Sequence, residues 1–391
     1  MRLLDLSRLL PGPFCSRILV DLGFEVIKVE PPGGGDWSRY IPPLDPESGE
    51  GVFFRALNRG KKSMTLNLKS ERGRDLFLQL VATADALLES FRPGVMDRLG
   101  LGYETLAQTN RGLVYCALSG YGTEGPYRNR AGHDVNYQGL TGLVDLTGPR
   151  EGPPTVPGVQ IADLTGAMWA AIGILGALLE RERTGSGARV DGSLLGGALS
   201  FQLLPVTRHL GGQPVVRGAG ELNGGLVCYN VYPVRDGGYM TLGALEPEFW
   251  AAFCAAVGRT DLVAQQFAPA VPGEPVYEDL CQIFHARTRQ EWVEALAGVD
   301  ACCEPVYSVA EALSCAPVQA LQMATDWGLL PPLRSASVDT PTSPQRDSGE
   351  GGNVIRADAG TPALGQHTAQ LLAELGMGPA EVAQLQEQGI L

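Results

Sequence analysis

The sequence predicts an α/β protein: a large Rossmann-like domain built on a parallel sheet, followed by a smaller α+β domain. Three observations predict it. Short apolar runs alternate with helix-like segments over the first 120 residues or so. A glycine-rich stretch, GGQPVVRGAGELNGG, then interrupts the pattern. Beyond it, VCYNVYPV-RDGG-YMTLGAL has the form of an antiparallel hairpin with a turn at Asp236 and Gly237. A chain of 391 residues is also long for one core and fits two or three domains.

Taken in order, RLLDLS is the first strand, and PGPFCSRILVDLG is a helix with proline early and glycine at its end. FEVIKVE is the second strand and runs into the loop PPGGGD. SMTLNL is the third strand. SERGRDLFLQLVATA then places apolar residues at helical spacing behind Ser70 as N-cap. DALLES and GLVYCALS are further strands, and strands alternating with helices predict a parallel sheet covered on both faces. An apolar helix follows over 164–183, then the strand ARVDGS and a helix from about Leu194 to Leu210. The expected boundaries are 1–210 for the large domain, 211–225 for a linker and 226–325 for the small domain. The small domain holds the hairpin and helices near 248–258, 276–286, 289–297 and 308–316. Residues 334–360 are polar and rich in Pro, Gly and Ser, as expected of a surface crossing, and 368–391 have helical character.

Composition excludes several classes. A formal charge of −13 argues against nucleic acid as a partner. The longest apolar helix candidate, Leu164 to Leu179, is 16 residues closed by ERER, short for a membrane span. The start of the chain lacks a charged leader with a signal-length apolar stretch, so a soluble cytoplasmic protein is expected. Eight scattered cysteines, with Cys302 and Cys303 adjacent and no CxxC, argue against a disulfide framework. His133, His209, His285 and His367 stand far apart and form no metal signature, so no metal is expected.

The residues that carry chemistry lie in loops. PPGGGD lacks GxGxxG spacing and follows the second strand, a poor dinucleotide fingerprint. Loops at the carboxyl ends of parallel strands are nevertheless where ligands of such sheets bind. Arg39, Lys61 with Lys62, Arg92, and Arg128 with Arg130 fall in such loops and predict an electropositive rim suited to a polyphosphate. The bland alternative is ordinary solvated surface charge. His133, in AGHDVNY, is either a structural loop histidine or an acid/base group; Asp134 fixes its tautomer or caps a helix starting at Val135. Asp163, in VQIADLTG, stands before an apolar helix. It is either that helix's N-cap, or an ionised base or nucleophile with backbone N–H groups nearby for an oxyanion. Glu246 caps the helix at Pro247 or reaches across to the histidine.

These stretches resemble the family III CoA-transferases (CaiB/BaiF) and, within them, the α-methylacyl-CoA racemases. The resemblance rests on LDLSRLLPGPFCSRILVDLGFEVIKVEPPGGGD, NRGKKSMTLNLK, ESFRPGVMDRLGLGYE, SGYGTEGPYRNRAGHDVNYQGLTG, VQIADLTGAMWA, LGALEPEFW and DACCEPVYSVAEAL, in the family's order up to about residue 315. It implies two chains interlocked as linked rings, with 326–391 returning to pack a C-terminal helix on the large domain. It implies a CoA thioester as substrate and no separate cofactor. Arg39, Lys62 and Arg92 would contact the nucleotide and phosphates; Gly132, His133, Asp134 and Tyr137 would surround the thioester. In the transferases the residue matching Asp163 is the nucleophile, forming an acyl anhydride and then an aspartyl-CoA thioester. In the racemases, His133 and Asp163 would be two acid/base groups on opposite faces of the acyl α-carbon, with Glu246 pairing with His133. Inverting a stereocentre through an enolate needs one group to take a proton and another to return it, which gives both residues a task. Two departures stand out: Val159 replaces an Asn common in the racemases, and LNGGLVCYN offers only Gly224-Gly225 where many transferases carry four glycines.

Overall fold

A computed structural model describes residues 1–325, 328–332 and 360–391. The expected crossing at 334–360 therefore lies, apart from Gly360, outside the described residues. The chain divides into two compact units, one of Met1–Thr141, Gly158–Phe201 and Leu321–Leu391, the other of Gly142–Pro157 and Gln202–Ala320.

The first unit is built on β1 (Arg2–Asp5), β2 (Glu25–Glu30), β3 (Lys62–Thr65), β4 (Ala86–Glu89), β5 (Val114–Ser119) and β6 (Arg189–Ser193). All pair in parallel in the order β3-β2-β1-β4-β5-β6, the Rossmann arrangement. Helices α1 (Pro11–Asp21), α2 (Val52–Asn58), α3 (Glu71–Ala82), α4 (Asp134–Thr141), α5 (Ile161–Thr184) and α6 (Leu194–Ser200) accompany the sheet. β5 is buried at every residue, as expected of a strand covered on both faces. Ser70 caps α3 by accepting the Gly73 N–H at 3.0 Å. One core joins Leu4, Ile27, Phe77 and Leu87 to Leu371, Leu372 and Leu385 of two C-terminal helices, Thr368–Glu374 and Pro379–Glu387. Burial of each such leucine contributes about 1.5–3 kcal/mol.

Two helices differ from expectation, both for physical reasons. α5 runs 24 residues, so by length and composition it is long enough to cross a membrane; in this unit it packs against α1, α6, β5 and β6. It starts three residues earlier than its apolar run, which puts Asp163 inside the first turn rather than ahead of it. The helix expected from Leu194 to Leu210 is broken into α6 and α7 (Leu203–Leu210), which belong to different units. Pro205 explains the break, because an unbroken helix would drive its ring into the carbonyl of Phe201.

The second unit holds an antiparallel sheet of β7 (Tyr229–Pro233), β8 (Tyr239–Gly243) and β9 (Cys303–Pro305), in that order. Gly237 at φ +81° makes the hairpin turn. Helices α8 (Pro247–Ala256), α9 (Pro275–His285) and α10 (Arg289–Ala295) cover it. Tyr232 stacks on Phe284 at 4.6 Å in a core with Trp250, Phe253 and Trp292. This unit begins at Gln202 rather than 226 and takes in 142–157. Arg217, from the stretch read as a linker, holds that insertion through the carbonyl oxygens of Asp145, Pro149 and Gly152 at 2.7–3.2 Å.

Candidate active site

The first unit gathers five of the expected site residues where α4 meets α5. His133 immediately precedes α4, is exposed, and its N–H donates to Asn136 Oδ1 at 2.9 Å. Asp134 opens α4 and is buried. Its Oδ1 accepts the N–H groups of Ala162 at 2.8 Å and Asp163 at 3.1 Å, while its Oδ2 accepts from Gln138 Nε2. The N-cap of α5, Gln160, makes no side-chain cap. Asp134 thus caps α5 from a separate helix, supplying both acceptor and negative charge at a positive helix end. Neither role read from the sequence for Asp134 anticipated this.

Burial, reinforced by the negative charge of Asp134, pushes the Asp163 carboxyl up to about 7. Its place in the first turn of α5 favours the anion, and burial outweighs that. The Tyr137 hydroxyl donates to the Gly132 carbonyl at 2.7 Å and is pushed up to about 12 by burial, Tyr121 and Asp163. Tyr121 packs edge-on against Tyr137 at 5.0 Å. A Cβ at Gly132 would stand 2.7 Å from the Tyr121 hydroxyl and 2.9 Å from the Tyr137 ring, so the backbone carrying His133 passes where only glycine fits.

Glu246 belongs to the second unit, where it is the N-cap residue of α8. Its side chain makes no cap hydrogen bond, and Pro247 takes N1.

Half of the expected basic rim is overturned. Arg39 is 2 % exposed: Nε and Nη2 bond Glu30 at 2.9 and 2.7 Å, Nη1 meets Glu50 and the Pro362 carbonyl, and the guanidinium covers the Phe54 ring. Lys62 sits at the amino end of β3, not at a strand's carboxyl end, and pairs with Glu25 at 2.6 Å and Glu374 at 3.7 Å. Lys61 is buried against Asp5, Ser16, Asn58 and the Pro13 carbonyl. Carboxylates close in space but distant in sequence have taken these cations. Arg92, after β4, and Arg128 and Arg130 remain exposed, Arg130 stacked on Tyr127 at 3.8 Å.

A buried charge cluster beneath β1 and β2 escaped the sequence reading. Lys28 bonds Asp36 at 2.9 Å and the Ser7 carbonyl at 2.9 Å. Burial would raise Asp5, but Lys61 and Lys28, with Ser16 and Ser7, hold it at about 2. Burial lowers Lys61 to about 8 against the pull of Asp5. Its sequence signals were the charged residues inside two strands, Asp5 in RLLDLS and Lys28 in EVIKVE. Among the described residues, no group of three His, Cys, Asp or Glu side chains is placed to hold a metal ion.

A family model described as CoA-transferase family III matches residues 1–368. The chain belongs to that family. An alpha-methylacyl-CoA racemase of Mus musculus is 34 % identical to this family III chain over 399 residues, covering 100 % of the chain and 96 % of the mouse protein. An acyl-CoA transferase of Fusarium pseudograminearum is 33 % identical over 405 residues, covering 100 % of the chain and 87 % of the fungal protein. A solved CAIB/BAIF family protein of Brucella suis superposes with a TM-score of 0.81 at 31 % identity, covering 96 % of this family III chain and 98 % of its own.

Proposed function

We propose that the chain racemises or epimerises 2-methylacyl-CoA thioesters, with His133 and Asp163 as the two acid/base groups at the acyl α-carbon. The observation that carries this reading is an Asp163 carboxyl pushed up to about 7 beside the His133 loop. A group that both takes and returns a proton works best with a pKa near the operating pH. A carboxylate nucleophile must instead be ionised before it attacks, and the same burial works against it. The full-length similarity to the mouse racemase agrees with this reading.

The enolate oxygen needs donors, and the first turn of α5 does not offer them. Ile161, Ala162, Asp163 and Leu164 all give their N–H groups to Val159, Asp134 or Gln160. The N–H groups at the start of α4, at Asp134 and Val135, are the donors in this reading. Arg92, with Arg128 and Arg130, grips CoA phosphate, while Arg39 and Lys62 serve the fold. A homodimer fits the exposed apolar side chains Met168, Trp169, Ile172 and Leu179 on α5 and Leu203 and Leu210 on α7.

The second reading is a CoA-transferase with Asp163 as nucleophile; the full-length similarity to the fungal acyl-CoA transferase supports it. Incubation with a single pure epimer and no second acid separates the two. Racemisation yields the other epimer, followed by chiral chromatography, and no hydroxylamine-trapped adduct forms at Asp163. An Asp163 adduct without epimer conversion refutes the racemase.

A further inference from the structure

Both oxygens of Asp134 are engaged by protein, so little of this carboxylate is left for a ligand. Oδ1 holds the first turn of α5 through two N–H groups, and Oδ2 holds Gln138 Nε2. Gln138 is fully buried, and its amide oxygen has no hydrogen-bond partner. A buried orphan carbonyl costs about 1–3 kcal/mol. The amide is held in that orientation because turning it over would set its oxygen against the Asp134 carboxylate.

We propose that Asp134 is a positioning residue: clamped by Gln138, its carboxylate anchors the first turn of α5 and sets a negative charge beside the Asp163 carboxyl. The inference rests on the reading of Asp163 as an acid/base group. The groups facing Asp163 leave Asp134 to do this. From α4, Asp163 meets Asp134 and Tyr137, the latter packed on Tyr121. α6 carries no ionisable side chain. On α1, Arg17 and Asp21 pair with each other, Asp21 also takes Arg59, and buried Cys15 faces Cys116, Asp5 and Lys61. Tyr115 and Cys116 of β5 and Arg189 and Asp191 of β6 group around Glu89. His133 is exposed in the preceding loop.

Asp134→Asn isolates the charge. The substituted side chain keeps an oxygen for the two α5 N–H groups, and its new amide donates to the orphan oxygen of a turned-over Gln138, so the helix cap survives. With aspartate labelled at the carboxyl carbon, an NMR titration follows Asp163 directly, its resonance assigned by its absence in Asp163→Asn. The wild-type midpoint is expected near 7. In Asp134→Asn it falls by about one pH unit or more, with the melting temperature nearly unchanged. The acid limb of kcat/KM for α-proton exchange moves down by the same amount, which a purely structural role would not produce. An unmoved midpoint in Asp134→Asn overturns the inference. Should that variant fail to fold, Asp134→Ser removes the same charge: a midpoint lowered there supports the inference, an unmoved one overturns it, and a wild-type midpoint near 4 overturns it outright. A midpoint that shifts in a protein exchanging no thioester α-proton upholds this inference and removes the acid/base reading; exchange with an unmoved midpoint does the reverse.

Discussion

The backbone N–H of Asp163 donates to Asp134 Oδ1 at 3.1 Å, tying the residue next to His133 to the first turn of α5. The histidine loop and the Asp163 turn are therefore one structural piece. A change at either end should be felt at the other.

Asp163→Asn tests the buried acid through stability. The folded-state pKa of about 7 lies above the ordinary value of 3.8, so this group's stabilisation is complete below about pH 4 and is lost as pH rises through 7. At pH 8 the wild type holds a largely buried anion that the variant lacks. The variant is expected to be more stable at pH 8 by roughly 2 kcal/mol, a figure discounted for partial exposure, with no difference at pH 4. Thermal unfolding at both pH values checks this; a variant less stable at pH 8 contradicts it.

His133→Gln distinguishes two bases from one. If Asp163 serves one face and His133 the other, the variant still exchanges the α-proton of one epimer. Conversion between epimers falls about 10²–10⁴-fold. Proton NMR of each pure epimer in deuterated water reads both rates. Equal loss from both epimers is the opposing result.

Gly132→Ala addresses the packing that places the histidine. The new methyl would meet the Tyr121 hydroxyl and the Tyr137 ring at 2.7 and 2.9 Å. Overpacking of this kind costs about 1–3 kcal/mol, and the displaced His133 should lower kcat more than it raises KM. Unchanged kinetics would show that the histidine's position is not set there.

Much of the fold was legible because its signals are local. Ser70 ahead of Glu71, the buried run EVIKVE and the Asp236-Gly237 turn each report on their own few residues. What was missed depends on partners distant in the chain. Asp163 looks like the cap ahead of its helix because the true cap, Asp134, comes from another segment. Arg39 and Lys62 looked free because Glu50, Glu25 and Glu374 reach them only after folding. Pro205 was the exception: a local signal of a helix break that apolar periodicity obscured.

Lys61→Met probes the cluster under β1. It removes the 3.2 Å cation and leaves buried Asp5 to Lys28, Ser7 and Ser16, so the loss should approach but not exceed the about 3–5 kcal/mol of a broken buried pair. Adding Asp5→Asn should recover most of that loss, since the charge then goes with its partner. Denaturant unfolding of the single and double variants measures the recovery; a double variant no more stable than the single would contradict the pairing.

The most direct measurement is α-proton exchange of a 2-methylacyl-CoA in deuterated water, with no second carboxylic acid present. The account predicts deuterium entering both epimers, and none entering when Asp163→Asn and His133→Gln are combined. An unexchanged α-proton in the wild type, alongside CoA transfer to an added acid, would contradict it.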